Sequence, residues 1–347
     1  MSAQRIKNDS FHKLLWPLLA LAIILLFNML FTPGFFHLEI KDGHLFGSLV
    51  DIVNRGAPVM LLSIGMTLVF ATGGIDLSVG AVMAIAGALA ATLIRPEYVK
   101  GVLEYGELRP LLIVVSIPLI LSVAAGLWNG ILVAYVGIQP IIATLILMVA
   151  GRGIAQLITQ GQIVVFIHEP FQTIGSGFFL GLPFPISIAI FMTAATYLVT
   201  RKTALGMFIE AVGANPVASR YIGVKEKQIK VAVYMFSGLC AGIAGLITCA
   251  DIRAADANNA GLFLELDAIA AVIIGGTMWG GRFSLAGSII GTLIIQGLTT
   301  TILTIGIAPE ITLVFKAVVI ICVALIQSRE FRNTVITRFA GLKVKRT

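Results

Sequence analysis

Uncharged stretches dominate this chain. Residues 56–75 contain no Asp, Glu, Lys or Arg, and neither do residues 77–94, so Asp76 stands alone between two apolar runs. A bilayer core about 30 Å thick is crossed by about 20 helical residues rising 1.5 Å each. On that scale the pattern predicts spans at 14–32, 56–72, 77–94, 111–136, 140–158, 184–200, 231–250, 268–279, 284–303 and 311–327. One break is forced by length: the 42 uncharged residues between Arg109 and Arg152 would make a helix of about 63 Å. It falls at Gly137-Ile138-Gln139-Pro140, since proline disfavours helix in the residue before it and glycine readily ends one. The eighth interval is short, with 14 uncharged residues between Asp267 and Arg282 and two glycine pairs inside. A short or broken helix with a re-entrant turn is expected there, which survives at membrane depth only against protein or a wet cavity. The expected fold class is therefore all-α, a polytopic membrane protein of about ten transmembrane helices with short re-entrant or broken segments.

Charge orients the pattern. Segments 1–13, 201–230 and 327–347 carry 15 Lys and Arg against 4 acids, whereas the alternate connections carry 6 against 12. The positive-inside rule then predicts that both termini are cytoplasmic. The run at Leu14–Phe31 is longer than a usual signal h-region and no small-residue cleavage site follows, so a retained first span is expected. With 58% hydrophobic and 12% charged residues, a soluble class is excluded. The +7 charge reads as membrane orientation and not as nucleic-acid binding. Cys240, Cys249 and Cys322 lack CxxC spacing and His12, His37, His44 and His168 are scattered, so buried small hydrophobes are expected and no metal site.

The longest inner segment, residues 201–230, holds a start-and-stop pair: Asn215 before Pro216, and Gly223 seven residues later. That predicts a short amphipathic helix over 216–222. It reads either as a helix lying on lipid or as one docked into a partner protein. Ala218 and Ile222 form an i,i+4 apolar edge, and Arg220 suits an acidic partner group.

Three motifs carry a family resemblance. "ATGGIDLSVGAVMAIAGALAA", "ALGMFIEAVGANPVASRYIGVKEKQIKVAVYMFSGLCAGIAGLI" and "ELDAIAAVIIGGTMWGGR" occur in this order. They resemble sugar permeases of bacterial binding-protein-dependent ABC importers, the ribose-type branch. "ATLILMVAGRGIAQLIT" and "DIRAADANNAGLFLELDAI" look closest to the galactofuranose-type permease. The resemblance runs from about residue 45 to residue 327 and implies a permease in the inner membrane; one transmembrane permease domain is expected over 1–347, with a cytoplasmic tail from about 328. It also implies ATP-binding cassette ATPase subunits, a periplasmic sugar-binding protein and a second permease subunit, in a homodimer or related heterodimer. Residues 210–223, with Glu210, Asn215, Pro216, Ala218, Arg220, Ile222 and Gly223, would be the coupling segment seated on the ATPase. The chain has no GxxxxGK[ST] run, so it lacks a nucleotide-binding loop. ATP and Mg would belong to the partner, leaving this chain non-catalytic and without a cofactor.

Asp76 has three readings. It caps the third span, accepting N–H bonds from Ser78 or Val79, with Gly73 and Gly74 reversing the chain. It lines the path of a sugar. Or it relays protons in a secondary transporter, the alternative function. The cap is favoured because the flanking glycines and Ser78 suit a helix start and the charge topology puts the turn near the cytoplasmic edge; an ion pair with Arg282 of the second glycine-rich turn is a further expectation. Asn129 and Gln139 interrupt apolar runs and are path-lining candidates beside ordinary interhelical bonding. Arg152 and Lys316 are expected to snorkel. Gly126/Gly130, Ser237/Ala241/Gly245 and Gly287/Gly291 predict close helix approach. The acidic outer loop offers Asp251, Arg253, Asp256, Asn258 and Asn259 as a periplasmic gate or binding-protein contact, or as an ordinary solvated loop.

Overall fold

The computed structural model describes residues 3–32, 34–41, 43–94, 97–99, 102–104, 110–306, 311, 313–318 and 321. Among these the chain is a helical bundle: α1 Ala3–Phe31, α2 Ser48–Ala71, α3 Val79–Ile94, α4 Leu111–Ile131, α5 Pro140–Thr159, α6 Glu169–Ser176, α7 Phe184–Lys202, α8 Leu205–Ala214, α9 Pro216–Tyr221, α10 Glu226–Ile252, α11 Leu264–Ile274 and α12 Leu285–Thr304. Among the described residues, seven helices are long and apolar enough to cross a membrane: Leu14–Phe31, Ser48–Ala71, Leu111–Val136, Pro140–Thr159, Phe184–Lys202, Glu226–Ile252 and Leu285–Thr304. α3, with 16 residues, and α11, with 11, are shorter. The interval 311–327 and Cys322 lie mostly or wholly outside the described residues. The connections add four two-stranded antiparallel ribbons among the described residues.

The forced break lies where length and sequence place it. α4 runs into a π turn at Leu132–Val136, Gly137 takes φ +83°, and Pro140 opens α5. Proline lacks an N–H and so loses nothing in the first helical turn. α2, in contrast, starts at Ser48, eight residues before the uncharged run, so Asp51 and Arg55 are helical. An acid in the first turn complements the positive helix end, so charge marks where lipid stops and not where helix stops.

α10 is the hub, packed on α4, α2 and α3. The small-residue spacing works as expected. A Cβ at Gly126 would be driven into the carbonyl oxygen of Tyr234, and one at Gly130 would come within 2.8 Å of the Val231 Cα. Glycine therefore brings α4 backbone to backbone with α10. Around this contact Leu61, Met66 and Phe70 of α2, Val82 and Met83 of α3 and Ala244 of α10 form a buried core.

The eighth interval holds a short helix followed by a turn, as expected, with shifted bounds. α11 begins at Leu264, includes Glu265 and Asp267 in its first turn, and ends at Ile274, with Gly275 as its C-cap. The glycine pairs lie beyond the helix and not within it. Both long cations are met by acceptors in this chain. The Lys316 ammonium donates to Asp267 Oδ2 at 2.7 Å, and both side chains are largely buried. The Arg152 guanidinium donates to the carbonyls of Ala257 (3.2 Å) and Ala260. Such partners are what a cation within a span needs.

Candidate functional site

Two neighbourhoods gather the residues singled out in the sequence. The first is the turn between α2 and α3. α2 ends as Gly73 N–H donates to Phe70 O (2.9 Å) and Gly74 N–H to Val69 O (3.0 Å). Asp76, 1% exposed, then accepts at Oδ1 from the Ser78 N–H (3.1 Å) and hydroxyl (2.6 Å). Its Oδ2 accepts from the Ser237 hydroxyl of α10 at 2.8 Å. Asn129 of α4 donates to the Ser78 hydroxyl at 2.8 Å, and Tyr234 donates to Ile75 O at 3.2 Å. A buried carboxylate is tolerable only when its oxygens are bonded, and here three donors, from two elements, supply that. The local cap from Ser78 is as expected, and no bond from Val79 accompanies it.

Two expectations about this turn change. Ser237, read only as a small packing residue, is a donor to the carboxylate. The Arg282 pair does not form: Arg282 is exposed, and the oxygens of Asp76 are taken by hydroxyls and an amide. Ser237 lies eleven residues into α10, about 16 Å along the helix from Glu226. The buried carboxylate is served by neutral donors, which bond it without burying a second charge. Asn129 is fully buried, with Oδ1 unpartnered, while Gln139 is an exposed N-cap without a side-chain cap bond.

The second neighbourhood is the 201–230 segment. α9 forms as the start-and-stop pair predicts: the Asn215 side chain accepts from Ala218 N–H at 2.9 Å, and Pro216 opens the helix. Tyr221 (87%) and Ile222 (76%) are exposed, with Val217 and Ala218 beside them. Arg220 turns back onto Glu226 in an ion pair, so its acidic partner is inside this chain. That carboxylate raises the Arg220 guanidinium above its ordinary value.

α8, absent from the sequence expectation, ties this segment to the bundle. A Cβ on Gly213 would be driven into Ala71 O and would lie 2.6 Å from Gly281 N. Ala71 O already accepts from Gly281 N–H (2.8 Å), and Phe70 O from Gly280 N–H (2.9 Å). Hence α8, the end of α2 and the turn after α11 share one backbone contact, possible because position 213 carries no side chain. Arg201 braces it, donating to Phe283 O (2.9 Å) and pairing with Glu210 at 3.3 Å. Gly213 and Arg201 were missed because nothing local marks them; the basic end of α7 was the available signal.

The 251–263 connection is held on several sides. Asp256 accepts from Asn258 N–H (3.0 Å), Asn259 N–H (3.3 Å) and the Asn259 side chain (2.7 Å). Those bonds, that of the Asn259 side chain foremost, keep the Asp256 carboxyl below its ordinary value. Asn258 accepts from Gln156 at 2.8 Å, and Val164–Val165 pairs with Ala254–Ala255. Asp251 lies in the last turn of α10, which Arg253 caps at φ +56°. Glu265, unremarked as a candidate, is 3% exposed, with Oε2 unpartnered. Among the described residues no three His, Cys, Asp or Glu side chains gather to hold a metal, and Cys240 and Cys249 are buried free thiols.

Comparison with known proteins follows this geometry. The family model described as branched-chain amino acid transport system / permease component matches residues 48–324. The galactofuranose transporter permease of Escherichia coli (strain K12) is 56% identical over 328 residues, covering 91% of each chain. The fructose import permease of Bifidobacterium longum (strain NCC 2705) is 40% identical over 327 residues, 92% of this chain and 89% of the relative. The ribose import permease of Haemophilus influenzae (strain ATCC 51907 / DSM 11121 / KW20 / Rd) is 32% identical over 312 residues, 88% and 90%. No solved structure matches the chain.

Proposed function

The chain belongs to the permease-component family of ABC importers, sugar permeases among them, and on that premise we propose which solute it carries and how it is driven. It is a non-catalytic membrane permease subunit of a sugar importer. Its solute is a monosaccharide, galactofuranose or a related pentose or hexose. The 56% identity to a galactofuranose permease across nearly the whole of both chains supports this. It works in the inner membrane with about ten spans and both termini in the cytoplasm, the arrangement favoured by the charge asymmetry. Its companions are ATPase subunits that bind ATP and Mg, a periplasmic sugar-binding protein and a second permease subunit, identical or related.

The contact of Gly213 with Ala71 and Gly281 carries the mechanism. The exposed Val217, Ala218 and Ile222 of the α9 region seat on the ATPase. Closure of the ATPase pair moves α9 and α8 together, since Asn215 caps α9 directly after α8. Through Gly213 that motion reaches α2 and the α11–α12 turn at once, rocking packed helices between outward- and inward-open states as ATP-driven closure favours one of them. Asp76 fixes a turn in the moving bundle. The outer connection with Asp251, Arg253, Asp256, Asn258 and Asn259 meets the binding protein or gates the path.

Reconstitution in proteoliposomes with the ATPase and binding protein tests this. Galactofuranose uptake should require ATP and both partners. Ile222→Asp, at an exposed position, should lower uptake and ATPase docking by roughly tenfold or more, as a lost interface anchor does. Uptake driven by a pH gradient without the ATPase would instead establish the proton-coupled alternative.

A further inference from the structure

Beside α9, at the foot of α10, is an open cleft of about 530 Å³ bounded by Tyr135, Arg220, Lys225, Glu226, Lys227 and Gln228. Arg220 and Glu226 neutralise one another there. Lys225 and Lys227 are exposed and form no ion pair among the described residues, which leaves the cleft a surplus of two positive charges. The Lys227 ammonium stands 5.2 Å from the centre of the Tyr135 ring. The cleft opens onto an apolar ridge: Trp128, Ile131 and Tyr135, spaced three and four residues apart, are all exposed along the end of α4 and the π turn that follows it.

We propose that this cleft binds an anionic phospholipid of the inner leaflet, with its headgroup phosphate between Lys225 and Lys227 and an acyl chain along Trp128, Ile131 and Tyr135. The proposal rests on the cytoplasmic placement of residues 201–230 given above. A cationic mouth alone would suit any phosphate. A cationic mouth continuing into an exposed aromatic and aliphatic ridge matches an amphiphile. Tyrosine at a helix end and lysines just beyond it are the usual residues of a membrane–water interface. An acidic protein segment would use the lysines and leave the ridge uncovered. The occupant would lie beside α9, so the lipid would brace the coupling segment from its membrane side.

Native mass spectrometry of the full-length permease in detergent, with phosphatidylglycerol or phosphatidylcholine added, reads the site. Phosphatidylglycerol should be retained by roughly tenfold over phosphatidylcholine, as two close phosphate–ammonium contacts warrant. Lys225→Gln with Lys227→Gln should remove the preference, while Lys225→Arg with Lys227→Arg should keep it. Tyr135→Ser should weaken retention of phosphatidylglycerol, and millimolar glycerol phosphate should not displace the lipid. A preference that survives the double glutamine variant overturns the proposal. So does displacement by glycerol phosphate, which would assign the cleft to soluble phosphate. Loss of ATPase copurification in the glutamine variant with lipid preference unchanged overturns it in favour of the protein partner. Labelling of Lys225→Cys by an impermeant maleimide from the periplasmic face alone would instead overturn the topology, whatever the lipid result.

Discussion

The turns at 72–78 and 275–284 read alike, each glycine-rich, each with one charged residue, each joining two helices. They fold to opposite ends. Around Asp76 the side chains do the holding, with hydroxyls from Ser78, just before α3, and from Ser237 of α10 closing on a buried carboxylate. Around Arg282 the backbone does it, with Gly280 and Gly281 donating to the last carbonyls of α2 while the arginine faces outward. One turn is pinned to the bundle by side chains. The other is a backbone seat that α8 shares. Residue content alone would make them equivalents; the difference is what comes to meet each from elsewhere in the chain. A turn saturated by its own neighbours suits a fixed point, and a turn whose contact is a backbone surface suits transmission.

Gly213→Val should have the largest effect, because it forces a side chain into that backbone seat. Overpacking against backbone that cannot yield lies at or above the upper end of about 1–3 kcal/mol. Uptake should also fall by roughly tenfold or more, since coupling through packed elements carries about 1–3 kcal/mol. The informative readout is ATPase activity in the assembled complex. Hydrolysis that persists while uptake is lost marks the seat as the transmitter. Wild-type uptake in this variant would remove the seat from the mechanism.

Asp76→Ala comes next. It leaves the Ser78 and Ser237 hydroxyls facing a void in the core, a loss of about 2 kcal/mol in unfolding free energy. Asp76→Asn keeps one acceptor oxygen and should lose less, with uptake retained. A proton relay predicts the reverse pattern: Asn as damaging to uptake as Ala, and no stability difference that explains it. Combining Asp76→Arg with Arg282→Asp should rescue nothing, as the two side chains do not meet.

The same contrast explains what could be read beforehand. Lipid imposes a length and a polarity on each span, so the runs themselves placed nine of the ten intervals on described helices, and Pro140 and Asn215 marked ends by local backbone chemistry. The Asp76–Ser78 bond, two residues apart, was legible for the same reason. Its bond to Ser237 joins positions 161 residues apart, and no local pattern carries that. The acceptors of the long cations are hidden for the same reason. The carbonyls of Ala257 and Ala260 that hold Arg152 have no side-chain signature, and Asp267 lies 49 residues from Lys316. α8 was hidden inside a segment too charged at its ends to look like part of the bundle.

Asp256 gives the smallest expected effect and the sharpest control. Like Asp76 it accepts the N–H two residues on, from Asn258, but it is only half-buried, so the same local motif is present without full burial. Its folded carboxyl is held below the ordinary value of 3.8, first by the Asn259 side chain and opposed by burial. A depressed carboxyl stabilises the fold in full above its unfolded value, and that contribution is lost as pH falls through the folded value. The 253–263 connection should therefore keep constant protection from pH 7 to about 4 and loosen only below. Hydrogen exchange at the Asn258 and Asn259 amides, corrected for the intrinsic rate, measures this. Asp256→Asn should flatten the acid-dependent step while leaving the global melting temperature near wild type. If Asp256→Asn instead destabilised the protein as much as Asp76→Ala, burial would not be what separates the two aspartates. The contrast between a pinned turn and a surface one would then have to rest on geometry alone.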